Sequence, residues 1–110
     1  MCELNKYRIM WLIVLFDLPT ETKKERKAYT KFRNFLLDDG FNMMQYSVYY
    51  RHCASRENAE AHTRRIKAAL PEKGFVNVVT ITDKQFGDIQ FFVGRKEKPP
   101  PNAPHQLELC

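Results

Sequence analysis

The stretch Leu12–Leu37, LIVLFDLPTETKKERKAYTKFRNFLL, joins a strongly apolar segment of the chain to a strongly basic one. The apolar run ends at a single acid, Asp17, and Pro19 then interrupts the extended backbone. Read back to Ile9, the run has apolar side chains at both strand parities, which is typical of a strand covered on both faces. We therefore predict a buried strand over residues 9–17 that ends on a carboxylate.

A helix is predicted directly after this strand. Thr22-Lys-Lys-Glu25 matches a capping box, and Gly40 favours a helix end near Asp39. A helical wheel separates an apolar side from a basic side. The apolar side contains Ala28, Tyr29, Phe32, Phe35 and Leu36, and the basic side contains Lys23, Arg26, Lys27, Lys31 and Arg33.

The rest of the chain continues the alternation of strands and helices. Residues 41–52, FNMMQYSVYYRH, favour one strand or two short strands with a corner near Gln45. Ser55 is a candidate N-cap for a second helix that ends at Pro71. Two further strands, 75–82 and 89–94, are separated by DKQFGD, which we expect to be a loop. This order predicts an α+β ferredoxin-like sandwich, a small and mostly antiparallel sheet with two helices on one face.

The second face of this sheet needs a cover, because the first strand and residues 75–82 are apolar on both sides. We expect a second copy of the chain to supply it as a homodimer. Residues 1–94 would form the domain, and 95–104 (RKEKPPPNAP) an extended, proline-rich linker. Residues 105–110 would be a C-terminal strand added to the partner's sheet, or else a frayed terminus.

Composition limits the class of protein. A chain of 110 residues with 44% hydrophobic content favours one globular domain, and a net charge of +5 favours an anionic partner. Three widely spaced cysteines argue against a disulfide framework. The longest apolar run is far shorter than the roughly 20 residues of a membrane span, so we expect a cytoplasmic protein with no membrane partner.

Asp17 has two interpretations. It could cap the turn or the following helix, where a carboxylate gains about 0.3–1 kcal/mol from free amides and the helix dipole. Alternatively, it could bind Mg²⁺, which usually takes one or two protein carboxylates and fills its other positions with water and phosphate oxygens. A dimer would supply the second acid.

Four segments together carry a family resemblance: FDLP, KKERKAYTKFRNFLLDDGF, QYSVYY and ITDKQF. In this order and spacing the chain resembles the CRISPR-associated protein 2 family, and within it the members that accompany type II systems. The resemblance covers nearly the whole chain. It implies a ferredoxin-like homodimer whose C-terminal strand joins the partner's sheet, and an integrase subunit as a further partner.

The resemblance also implies roles for individual residues. Asp17 matches the catalytic, metal-ligating acid of the family, one from each subunit. Phe16, Ser47 and Tyr49 would line this site. Met43 stands where some members have arginine, so electrostatic help from that position is lost.

Two functions follow as alternatives. One is a Mg²⁺-dependent endonuclease of low activity on single-stranded RNA or double-stranded DNA, slow because no histidine lies close in sequence to act as base. The other is a non-catalytic scaffold that binds a double-stranded prespacer and bridges integrase dimers. For either, Lys23, Arg26, Lys27, Lys31 and Arg33 are the predicted phosphate contacts, although such a row is often only a solvated helix face.

Overall fold

The computed structural model describes residues 9–100, which form a four-stranded antiparallel sheet with two long helices and a separate two-stranded hairpin. Sheet order is β2-β3-β1-β4. This is the ferredoxin-like arrangement, so the predicted fold class is confirmed. The strands are β1 (Met10–Asp17), β2 (Asn42–Gln45), β3 (Val48–Cys53), β4 (Phe75–Thr82), β5 (Phe91–Val93) and β6 (Lys96–Lys98), and the helices are α1 (Lys23–Asp38), α2 (Arg56–Ala68) and α3 (Asp83–Gly87).

Helix α1 begins at the predicted capping box. The Glu25 backbone N–H donates to Thr22 Oγ1 at 3.1 Å, and the Thr22 backbone N–H donates to Glu25 Oε1 at 3.0 Å. These bonds satisfy two of the amides that a helix N-terminus leaves free. The helix ends before Gly40, whose φ of 88° lies in the left-handed region that favours glycine.

One face of the sheet and the two long helices enclose the larger core. Alternate residues of β1 point into it, because side chains along a strand alternate between faces. They pack against three residues of α1 and two of α2. The β1 set is Met10, Leu12, Val14 and Phe16, and the helix set is Tyr29, Phe32, Leu36, Ala59 and Ile66.

Helix α3 covers part of the opposite face, where a loop was predicted from DKQFGD. Trp11 is only 1% exposed there, because the Phe86 ring stacks on it with centroids 3.8 Å apart. Trp11 Nε1 also donates to Asp83 Oδ1 at 2.7 Å. The loop prediction is therefore wrong. A second capping box, between Thr82 and Gln85, starts this helix of five residues.

The segment 41–52 contains two strands rather than one, which confirms the second of the two alternatives predicted for it. A turn at Tyr46 and Ser47 separates β2 from β3, and Ser47 has a φ of 62°. Strand β6, which falls inside the predicted linker, pairs with β5. The predicted arm at 105–110 lies outside the described residues. Within 9–100, no helix is long and apolar enough to cross a membrane.

Candidate metal and nucleic-acid site

Asp17 is the last residue of β1, and its side chain is exposed. Strand alternation places this carboxylate on the face opposite Phe16, and it lies beside Phe75 of β4. The N-cap of α1 is Thr22, so the interpretation of Asp17 as the helix cap is wrong. No ion pair formed within residues 9–100 includes Asp17. The acid is therefore available to a ligand.

Three partly exposed apolar side chains share the face of Asp17. Leu15 is 38% exposed, Val79 is 40% exposed and Phe75 is 73% exposed. We call Leu15, Phe75 and Val79 the apolar patch. Helix α3 shields only the Trp11 end of this face, so the patch and the acid remain uncovered together.

Gly74 fixes the backbone beneath Asp17. Its φ is 97°, and a Cβ at this position would lie 2.7 Å from the Asp17 carbonyl oxygen and 2.7 Å from Leu18 Cδ2. A larger residue would have to push the end of β1 away. The lack of a side chain at Gly74 thus allows the segment before β4 to approach the backbone of Asp17 and Leu18 closely.

Phe16 and Tyr49 do not lie beside the Asp17 carboxylate, although both were predicted to line the site. Each is buried on the helix-covered face, with ring centroids 5.7 Å apart. Burial raises the pKa of Tyr49, so its phenol stays neutral. Phe16 precedes the acid along the chain, but the alternation of side chains along β1 sends its ring to the opposite face. Tyr49, which the family resemblance placed at the site, pairs with Val14 and faces the helix-side core.

Ser47 connects the β2–β3 turn to the end of β1. Its carbonyl oxygen accepts from the Phe16 backbone N–H at 3.0 Å, and its Oγ lies 3.2 Å from the Tyr29 hydroxyl. The neighbouring Tyr46 side chain is 75% exposed and stacks on the Tyr29 ring. Tyr46 was not among the predicted site residues, and an aromatic residue in a hairpin turn is the signal that could have identified it.

The predicted basic residues divide into three groups. Lys23, Lys27 and Lys31 are exposed along α1. Arg26 is exposed, but its guanidinium donates to the carbonyl oxygens of Thr20 and Glu21 at 3.2 and 2.9 Å, which ties it to the turn after β1. Arg33 is half-buried and lies on the Tyr29 side of the helix, so its expected place opposite the apolar side is wrong.

Neither histidine of the described part of the chain can serve Asp17 as a base. His62 is buried on α2, and its Nδ1 lies 2.8 Å from Asp39 Oδ2. His52 pairs in register with Trp11, six residues from Asp17 along β1, which is about 20 Å of strand. Burial lowers the pKa of His52, and the nearby Arg51 guanidinium lowers it further to a smaller extent.

Comparison with known proteins identifies the family of this chain and supports its fold. The family model described as CRISPR associated protein Cas2 matches residues 10–89. A protein of Flavobacterium psychrophilum is 58% identical over 107 residues, covering 97% of this chain and 93% of its own length. One from Parvibaculum lavamentivorans is 59% identical over 100 residues, covering 91% and 99%.

Both relatives carry the name CRISPR-associated endoribonuclease Cas2. A solved structure described as "Crystal structure of cas2" has a TM-score of 0.57 at 19% identity and covers 87% of this chain and 98% of its own, which supports the fold. With a family model that matches most of the chain and relatives close to 60% identity, this protein belongs to the CRISPR-associated protein Cas2 family.

Proposed function

We propose that this Cas2 protein acts as a two-fold homodimer in which two Asp17 carboxylates hold one Mg²⁺ ion and a phosphodiester bond is cleaved beside them. The supporting observation is the position of Asp17, which is exposed and shares its face with the apolar patch. Packing this patch against a second copy would remove apolar surface from water, at about 25 cal/mol per Å². The same packing would bring the two acids together.

The donor set fits Mg²⁺ only when two copies combine. The described residues contain no group of three or more His, Cys, Asp or Glu side chains that could hold a metal ion. A dimer that brings the two copies of Asp17 together would offer two carboxylates at one place. Two carboxylates, with water and phosphate oxygens in the remaining positions, are a coordination that Mg²⁺ commonly accepts.

The chain's own residues would position the substrate and the charge. When bound, Mg²⁺ supplies Lewis-acid stabilisation of the phosphate and a more acidic water. Asp17 of each copy would fix that positive charge at the symmetry axis, and the exposed lysines of α1 would hold the nucleic-acid backbone. His52 and His62 both lie away from Asp17, so neither of these histidines would accept a proton from the attacking water. We therefore expect slow cleavage that becomes faster above neutral pH.

The substrate that we favour is single-stranded RNA, because the curated relatives are named as endoribonucleases. Double-stranded DNA is the second substrate class that we propose. We place the activity in the acquisition of CRISPR spacers in the cytoplasm, with an integrase subunit as partner. An association with type II systems stays a prediction from the sequence.

The test compares the wild type with Asp17→Ala in the presence of Mg²⁺ and of a chelator. We expect Asp17→Ala and the chelator each to abolish cleavage while duplex binding is retained. Glu60→Gln removes an exposed acid of α2 and is the matched control, which should cleave like the wild type. Cleavage that survives in Asp17→Ala would contradict the proposed metal site.

A specific observation also favours a non-catalytic scaffold. Three lysines are exposed on α1, while within residues 9–100 Asp17 has no nearby histidine and belongs to no group of three or more His, Cys, Asp or Glu side chains. Such a dimer would grip the phosphates of a prespacer duplex and bridge two integrase dimers without cutting. If the wild type cleaves no RNA or DNA at any pH from neutral to alkaline yet binds duplex DNA, the scaffold is the function.

A further inference from the structure

The exposed ring of Tyr46 is the feature that the proposed function leaves unused. Tyr46 is 75% exposed at the turn between β2 and β3. One face of the ring is supported by Tyr29, with centroids 5.8 Å apart and an angle of 19° between the planes. Among the large hydrophobic side chains of residues 9–100, Tyr46 has the greatest exposed fraction.

The support beneath Tyr46 is rigid. Tyr29 is buried in the helix-side core, and its hydroxyl lies 3.2 Å from Ser47 Oγ. The Ser47 carbonyl oxygen accepts from the Phe16 backbone N–H at 3.0 Å, which anchors the turn to the end of β1. The outer face of the Tyr46 ring is therefore presented at a fixed place, at the same end of the sheet as Asp17.

Arg33 lies one helical turn beyond Tyr29, on the side of α1 against which Tyr46 stacks. The Arg33 guanidinium is close enough to both Tyr46 and Tyr49 to favour their ionised forms. Within residues 9–100, the Nε of Arg33 is buried and has no hydrogen-bond partner. The adjacent Tyr29 side chain raises the pKa of Tyr46, so the phenol is neutral near pH 7 and does not repel an anion.

A flat, supported aromatic ring with a guanidinium one helical turn from its supporting residue matches the chemistry of a nucleotide in a single strand. Proteins bind unpaired bases by stacking them on aromatic side chains while cations hold the backbone. A base inside a duplex is already stacked on both sides and cannot use the ring. We propose that Tyr46 stacks on one unpaired base of a single-stranded nucleic acid and that Arg33 holds an adjacent phosphate.

This inference rests on the proposed function, because it assigns a single-strand contact to the same end of the sheet. It adds Tyr46 as a residue that binds by stacking. Because every base has a π-face, Tyr46 should show little preference among bases. The contribution of the ring should also be similar for RNA and DNA, because stacking does not involve the 2′-hydroxyl group.

The experiment measures affinity for single-stranded RNA, single-stranded DNA and a duplex of one sequence, in a chelator so that nothing is cleaved. Tyr46→Leu keeps apolar bulk but removes the ring, and Tyr46→Phe keeps the ring. We expect Tyr46→Leu to bind both single strands roughly 5- to 150-fold more weakly, with Tyr46→Phe within about twofold of the wild type. Duplex affinity should be unchanged in both variants.

A second measurement uses the fluorescence of a 2-aminopurine placed in the single strand. The wild type and Tyr46→Phe should quench this fluorescence, and Tyr46→Leu should quench it much less.

The role of Arg33 is tested separately. Arg33→Gln should weaken single-strand binding and reduce the slope of log affinity against log salt by about 1, as expected for one lost phosphate contact. An unchanged slope would overturn the Arg33 assignment.

The outcomes separate this inference from the proposed function. If Tyr46→Leu binds single strands as tightly as the wild type, the stacking role is wrong, and cleavage that depends on Asp17 would still support the metal site. If the wild type binds no nucleic acid at all, both proposals fail.

Discussion

At the scale of single residues, Asp39 shows how this small domain fastens its two long helices to the sheet. Its carboxylate is buried and receives His62 Nδ1 at 2.8 Å and Arg65 Nη2 at 2.7 Å, both from α2. Its backbone carbonyl accepts a hydrogen bond from Arg51 of β3. One residue after α1 therefore joins three elements that lie far apart in the sequence.

We predict that Asp39→Ala lowers the free energy of unfolding by about 2–3 kcal/mol. Removing one partner of a fully buried ion pair typically costs about 3–5 kcal/mol, but here the Arg65 side chain is mostly exposed and can be solvated. Urea denaturation measures the change. Asp38→Ala alters the exposed neighbouring acid and should stay within about 0.5 kcal/mol of the wild type. Equal effects of the two variants would contradict a buried role for Asp39.

At the scale of elements, α1 has two distinct sides. Its buried residues Tyr29, Phe32 and Leu36 pack on β1, and the lysine row Lys23, Lys27 and Lys31 is exposed. Charge spaced at i, i+4 on one helix matches the backbone of a nucleic acid better than it matches a compact ligand, because phosphates repeat along a line.

We predict that Lys27→Glu combined with Lys31→Glu weakens duplex binding and flattens its salt dependence. If the dimer neutralises about six phosphates, log affinity should fall against log salt with a slope near −5 in the wild type. The control, Arg64→Glu with Lys67→Glu, makes the same change in net charge on exposed positions of α2. Binding measured by anisotropy across a salt series decides between them. If both double variants lose the same amount of duplex affinity, net charge alone controls binding and the assignment of the α1 lysines as phosphate contacts is wrong.

The long elements could be predicted from the sequence, because hydrophobic periodicity and capping signals agree over many residues. The start of α1 and the bounds of β4 match the structure. Helix α3 was missed because its five residues are too few to show a period, although Thr82 and Gln85 repeat the capping pattern of Thr22 and Glu25. The Arg33 error has another cause. Its position on the wheel borders both sides of α1, and only the packing of the Tyr46–Ser47 turn against Tyr29 shows which side it joins.

At the scale of the whole molecule, the second face of the sheet is divided. Helix α3 and Phe86 cover the end around Trp11, so the expectation that another copy must cover the whole face was too broad. The other end carries the apolar patch and Asp17. We propose that this end is the dimer contact, and that the C-terminal segment adds to the partner's sheet.

We predict that Phe75→Lys weakens dimerisation at least tenfold, because it places a charge at the most exposed residue of the apolar patch. Sedimentation in Mg²⁺ and in chelator measures the equilibrium, and the dimer should be stronger in Mg²⁺. Leu70→Lys introduces the same charge at an exposed leucine beyond the end of α2 and should leave dimerisation unchanged. A wild type that stays monomeric at every concentration with Mg²⁺ would refute the shared site.

The burial of Trp11 beneath α3 has a spectroscopic consequence. This indole is the single tryptophan of the sequence, and it is buried against Phe86 within one copy of the chain. Its emission should therefore be blue-shifted and should report whether α3 is docked. The emission should not change when two folded copies associate at the other end of the sheet. Fluorescence would therefore report the docking of α3, and sedimentation would report dimerisation.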